Sequence, residues 1–156
     1  MRAPLDETDC VILATLQERG DLPNVELARR VGLSPAATLR RVQRLRTAGV
    51  IERIGAVVNH ELVGLRVEAF VLVALAEHAD TNDPRLARQL AAIPEILRAD
   101  TIAGQDDLLL HIAAPDTREL QQVLRKLPGL GARRITTMLR LEGVKPPAPA
   151  PVRLTP

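Results

Sequence analysis

Seven arginines (29, 30, 40, 41, 44, 46 and 53) and a single acid, Glu52, lie between positions 29 and 53. The formal charge of the whole chain is only +2, and from residue 61 onward twelve basic residues balance twelve acidic ones. Positive charge is therefore gathered in one short stretch, as contact with a polyanion requires. The stretch contains no lysine. Arginine offers a planar fork of donors that fits phosphate oxygens or base edges in pairs. Three of these residues, Arg40, Arg41 and Arg44, have the spacing of one helix face, and Arg53 follows them.

Other chemistries find little support. Cys10 is the only cysteine and sits in an apolar helical pattern, so it reads as a small buried hydrophobe and forms no intramolecular disulfide. His60, His78 and His111 are too far apart to follow a metal-ligand pattern. Asp107 and His111, at i and i+4 on a strand, are not brought together for catalysis. There is no Gly-rich nucleotide loop, and the reading is of a non-enzyme without metal or cofactor. With one Phe and no Tyr or Trp, the chain also lacks the stacking platforms of a single-strand binder. No apolar run approaches the roughly 20 residues of a membrane span, and the N-terminus turns acidic before any apolar stretch. A cytoplasmic protein without a membrane partner is expected.

The arginines need a scaffold, and the sequence supplies one. A first helix is expected over 7–18, with Asp6 as N-cap, Asp9 at N3 and Ile12, Leu13 and Leu16 facing inward. A second is expected over 25–31, capped by Asn24. After the turn Gly32-Leu33-Ser34, a third helix is expected from Pro35 to about 48, with Ser34 as N-cap and proline at N1. At 100° per residue, Thr38, Leu39, Val42 and Leu45 share one arc of this helix, and Ala36, Ala37, Arg40, Arg41 and Arg44 share the opposite one. The small residues permit close approach to a surface, Ala36 or Ala37 meeting a thymine methyl, or else they reflect helix propensity alone. Ser34 is first a cap and second a phosphate contact. Residues 51–59 read as two short strands around a bend at 53–55, a wing on which Arg53 would reach a phosphate.

A second pattern begins after a linker at 60–65. Strands are expected over 67–75, 96–103, 107–113 and 133–141, with helices over 83–92 and 116–127. The order β-α-β-β-α-β is ferredoxin-like. Two helices cover one face of such a sheet, and the apolar content of 67–75 and 108–110 calls for a second subunit on the other. The fold class is therefore α+β: a winged helix-turn-helix over 1–60, a ferredoxin-like effector and oligomerisation domain over 61–145, and a proline-rich disordered tail over 146–156. Gly104, Gln105, Asp106 and Asp107 form a polar turn that reads either as a ligand loop, with hydrogen bonds and an ammonium partner on offer, or as an ordinary hairpin turn. Thr101, Thr136 and Thr137 add hydroxyls. Alternation puts Thr136 and Thr137 on opposite sheet faces, so at most one of the two lines a given pocket. Arg133 and Arg134 suit either a ligand carboxylate or an interface ion pair.

The run Leu5-Asp6-x-x-Asp9-x-x-Ile12-Leu13, then 24–28 (NVELA), 31–35 (VGLSP), Leu39-Arg40-Arg41-Val42-x-Arg44-Leu45 and 49–51 (GVI), resembles the Lrp/AsnC (feast/famine) family of transcription regulators. Gly104-x-x-Asp107, Leu109-Leu110, 127–129 (LPG) and Thr136 extend the resemblance, which covers about residues 4–145. It implies sequence-specific binding to double-stranded DNA and a homodimer through the C-terminal sheets, assembling in many members to tetramers or octamers. It also implies an amino-acid or related effector near the turn at 104–107, with Thr101 and Thr136 as further candidate contacts. The turn departs from common members, with Gln105 and Asp106 in place of an acidic or small residue followed by an aromatic, and Leu108 in place of a frequent tyrosine. The alternative is a small-molecule-sensing α/β module acting through protein partners, which would show no salt-dependent duplex binding.

Overall fold

The computed structural model of the chain describes residues 5–76 and 80–154; His78 lies outside the described residues. The chain divides into two compact units, one made of 1–57 together with 145–156 and the other of 58–144.

The first unit is helical. α1 (Glu7–Glu18) opens on a reciprocal cap. The Asp9 amide donates to Asp6 Oδ1 at 2.8 Å, and the Asp6 amide donates back to Asp9 Oδ2 at 3.2 Å. α2 (Asn24–Val31) starts directly after Pro23, with no side-chain cap. Asn24, expected as that cap, instead donates from Nδ2 to the Pro35 carbonyl oxygen at 2.8 Å, tying the start of α2 to the start of the next helix. Gly32 ends α2 in the left-handed region (φ 67°), where a side chain would be strained. α3 (Pro35–Thr47) follows, capped by Ser34, whose Oγ accepts from the Ala37 amide at 3.2 Å. Ile12, Leu13, Leu22, Leu27 and Leu45 form a small core between the three helices. A core this thin gives modest burial per residue, so the capping and polar ties carry weight here.

Two expectations for this unit are corrected. Residues 51–59 form no strands, and 52–59 are all exposed. A two-stranded ribbon on its own is marginal, and no further strand among the described residues pairs with this segment. The C-terminal segment, expected to be disordered, is held against α1. Gln17 Nε2 donates to the Ala150 carbonyl oxygen at 3.1 Å, the Ala150 amide donates to Gln17 Oε1 at 2.7 Å, and Val152 packs on the helical core.

The second unit follows the expected order. β1 (Val67–Leu75), α4 (Pro84–Ala91), β2 (Ile96–Thr101), β3 (Leu108–Ala114), α5 (Thr117–Lys126) and β4 (Ala132–Leu139) build one antiparallel sheet in the order β2-β3-β1-β4. Asp83 and Asp116 cap the two helices through their side chains. Alternation sends Ala69, Val71 and Val73 with Leu108, Leu110 and Ile112 to one face, where Leu86 and Leu90 of α4 and Leu120 and Val123 of α5 cover them. No helix of this unit covers the other face, which presents Glu68, Phe70, Leu72, Leu109, His111, Thr136 and Met138. Phe70 and Met138 there are 38% and 43% exposed. No helix among the described residues is long and apolar enough to cross a membrane.

Candidate DNA interface and effector turn

α2, its Gly32 turn and α3 form a helix-turn-helix, and the cap at Ser34 fixes where α3 begins. Thr38 is buried and donates to the Ser34 carbonyl oxygen at 3.1 Å, so its hydroxyl is satisfied inside the unit. Thr38 and Leu45 form the buried stripe of α3, with Val42 beside it. Leu39, expected on the same inner arc, is 47% exposed. The wheel explains this: Leu39 lies about 100° from the mean direction of Thr38 and Leu45, beyond what two supporting helices cover.

The expected outer arc also divides. Ala36 and Arg40 are exposed, together with Gln43, and Arg40 forms no ion pair among the described residues. Ala37 is half-buried beside them. Arg41 and Arg44 turn toward α1. Arg41 Nη1 lies 2.6 Å from Asp6 Oδ2 and 3.0 Å from Asp9 Oδ1, and Arg44 Nη2 bonds Asp9 Oδ2. Asp9 is fully buried, so its charge must be paired, and two guanidiniums and the Asp6 amide do so. The Arg41 hydrogen bond, aided by the Asp9 amide, holds the Asp6 carboxyl below its ordinary value of 3.8, and the hydrogen bonds to the Asp6 and Asp9 carboxylates raise Arg41. The Arg44 side chain remains 48% exposed and keeps part of its fork toward solvent. Arg53 is exposed on the irregular segment after α3.

In the sheet unit the turn at 102–107 is held from several sides. The Asp107 amide donates to the Val73 carbonyl oxygen at 2.9 Å, and Asp107 Oδ2 accepts from the Leu75 amide at 2.7 Å. That carboxylate therefore serves the β1 backbone where the β1–β4 register shifts. Arg134 Nη2 donates to Asp106 Oδ1 at 3.0 Å and to the Gln105 carbonyl oxygen at 3.2 Å. Arg134, expected to serve a ligand carboxylate or an interface ion pair, instead pairs with Asp106 of its own chain. Gly104 and Gln105 are exposed at the tip, with Gly104 at φ 157° and open space where a Cβ would stand.

The hydroxyls expected near this turn do not converge. Thr101 pairs with Leu108, which pairs with Val73 on the helix-covered face, and it lines a cleft of about 370 Å³ between α4 and β2. Thr136 pairs with Leu72 on the open face. The two therefore cannot line one pocket within a subunit. Thr136 and Thr137 do lie on opposite faces.

Both units match known families. Residues 5–52 match a winged helix-turn-helix DNA-binding family, and residues 68–149 match the Lrp/AsnC ligand-binding domain. The chain belongs to the Lrp/AsnC family of transcriptional regulators. It is 36% identical over 147 residues to the leucine-responsive regulatory protein of Rhizobium meliloti, covering 93% of this chain and 94% of the relative. Among solved structures, a Neisseria meningitidis transcriptional regulator crystallised as its L-methionine complex superposes with a TM-score of 0.82 at 34% identity. That match covers 94% of this chain and 96% of the other. The leucine response regulatory protein of Mycobacterium tuberculosis gives 0.82 at 26% identity, over 91% and 96% of the two chains. This Lrp/AsnC member is thus a DNA-binding transcriptional regulator with a ligand-binding domain.

Two features of the regulator escaped the reading of its sequence. Gln43 joins the exposed side of α3, and the 3.6-residue period, which puts it beside Ala36 and Arg40, was enough to find it. The other is a polar cluster on the open sheet face. Glu68 Oε1 lies 3.2 Å from His60 Nδ1 and 3.2 Å from Arg140 Nη1, while Glu68 Oε2 lies 2.9 Å from His111 Nε2. Phe70 stacks on His111 with centroids 4.9 Å apart. Burial alone would raise the Glu68 carboxyl. The hydrogen bonds to His111 and His60, with Arg140 nearby, outweigh burial and hold it below its ordinary 4.5. The pairing depends on strand register across the sheet, and no local spacing signals it.

Proposed function

We propose that the regulator reads duplex DNA with the outward side of α3. Ala36, Ala37, Arg40 and Gln43 face the major groove, and Ser34 lies at the phosphate-facing start of the helix. Arg53 adds a phosphate contact from the segment after α3. Arg41 and Arg44 act at the edge of this surface, with Arg44 contributing the exposed part of its fork and Arg41 chiefly holding the helix to α1. The observation that carries this reading is the exposed Arg40, without an ion pair among the described residues, beside small residues on a helix whose other side is anchored in the core. DNA contact falls to residues 1–60, and effector and subunit contact to 61–145.

The effector is an amino acid or a closely related metabolite at the turn formed by Gly104, Gln105, Asp106 and Asp107, with either Thr101 or Thr136 nearby. The methionine held by the Neisseria relative supports this ligand class. Both acids of the turn are already engaged, Asp107 by the Leu75 amide and Asp106 by Arg134, so an ammonium group there would share a carboxylate with one of these partners. Two subunits pair through the open sheet face, and dimers assemble further to tetramers or octamers. Two copies of α3 then enter successive major grooves about one helical turn apart. A duplex ligand places the protein in the cytoplasm. The test is binding to the DNA upstream of the regulator's own gene with and without a panel of amino acids, with particle size followed in parallel. Specific binding that one amino acid alters is expected. Failure to bind duplex under any condition would refute the reading.

A further inference from the structure

The proline-rich end of the chain, 145–154, has no part in either role above, yet it is one of the more specifically held segments of the helical unit. Gln17 turns its carboxamide edge-on to the extended backbone, accepting from the Ala150 amide at 2.7 Å and donating to the Ala150 carbonyl oxygen at 3.1 Å. A primary amide bonded both ways to one residue reproduces half of a β-bridge. It recognises extended backbone and no side chain. The segment reads Pro-Pro-Ala-Pro-Ala-Pro over 146–151, and the residue Gln17 reads is an alanine. A proline there would lack the donor N–H. The prolines around Ala150 keep the segment extended before it docks, so little chain entropy is lost on binding. Two residues on, Val152 packs against the core formed by Ile12, Leu13 and Leu45. Ala150 also forms part of the wall of a groove of about 650 Å³ that includes Leu13, Leu16, Ile51 and Ile54.

We propose that the C-terminal turn of α1 and the 50–57 segment form a docking surface for extended proline-rich chain, and that its occupant is the C-terminal segment of the same subunit. Gln17 is the recognition residue and Val152 the apolar anchor. The consequence is topological. The chain leaves the helical unit at 57 and returns to it at 145, so that unit is linked to the sheet unit twice, the second time from the end of β4. α1 is then gripped at its N-terminal end by Arg41 and Arg44 of α3 and at its C-terminal end by the strap. This inference does not depend on the duplex or the effector.

Amide hydrogen exchange on the full chain, followed by NMR, tests it. The Ala150 amide is expected to exchange about tenfold more slowly than in an unstructured peptide, the protection one exposed hydrogen bond gives. In Gln17→Ala, whose exposed position suits alanine in a helix, that protection should vanish while the amides of β1 are unchanged. Val152→Asp should have the same effect at Ala150. An unstructured exchange rate at Ala150 in the unaltered chain would overturn the proposal, as would protection that survives Gln17→Ala. Labelled Gln17→Ala chains mixed with unlabelled unaltered chains distinguish docking within a subunit from docking between subunits. Protection regained at the labelled Ala150 would mean exchange between subunits and would refute a strap within one.

Discussion

The carboxylate of Asp9 determines how many arginines of α3 remain available for DNA. It is buried, it takes part in the cap of α1, and it holds Arg44 and shares Arg41 with Asp6. Removing it leaves Arg44 without its partner and Arg41 with Asp6 alone, and halves the cap. Asp9→Ala should therefore destabilise the helical unit by about 2–4 kcal/mol, toward the lower end because both arginines are partly exposed, as chemical denaturation would show. Asp6 allows a separate test with pH. Its folded pKa lies below 3.8, so its stabilisation is complete above that value and is lost as pH falls through the lower, folded one. Denaturation midpoints followed downward from about pH 5 should fall more steeply for the unaltered chain than for Asp6→Asn, which keeps a capping oxygen but carries no charge. Identical acid limbs would show that the pairing contributes nothing to stability.

At the scale of elements, the helices and the four strands were legible because each has a local signature. Ser34-Pro35 announces the start of α3, Asp83-Pro84 that of α4, and the nearly continuous apolar run over 67–75 marks β1. The features that eluded local reading depend on partners distant in sequence. Asn24 has the chemistry of a cap but bonds Pro35 across the turn. Arg41 and Arg44 lie on a polar arc, yet the acids that claim them are more than thirty residues earlier. Residues 51–59 have strand-like composition, but no strand among the described residues pairs with them. The tail is proline-rich, as disordered segments often are, and is ordered by one glutamine in α1. The turn between α2 and α3 belongs to the legible group and can be tested directly. Gly32→Ala forces a side chain into the left-handed region and should cost about 1 kcal/mol or more, seen as a lower melting temperature.

At the scale of the whole molecule, the sheet unit has a covered face and an open one, and the open face combines apolar residues with the cluster around Glu68. Phe70 lies at the join, stacked on His111 and 38% exposed. If subunits pair there, Phe70→Glu places a second carboxylate beside Glu68 in a surface meant to be dry. Sedimentation should then show monomers at concentrations where the unaltered chain is dimeric or larger. An unchanged particle size would move the subunit contact elsewhere.

Arg40, and not Arg41, is expected to meet the phosphates or bases of a duplex. The most direct measurement is the salt dependence of binding to DNA upstream of the regulator's own gene, for the unaltered chain, Arg40→Ala and Arg41→Ala. Affinity should fall steeply with salt. Arg40→Ala should weaken binding about tenfold or more at unchanged melting temperature, and, if it contacts a phosphate, should reduce the slope of log K against log salt by about one. Arg41→Ala should chiefly lower the melting temperature. Binding that is insensitive to salt, or an Arg40→Ala chain that binds as the unaltered one does, would rule out this role for Arg40.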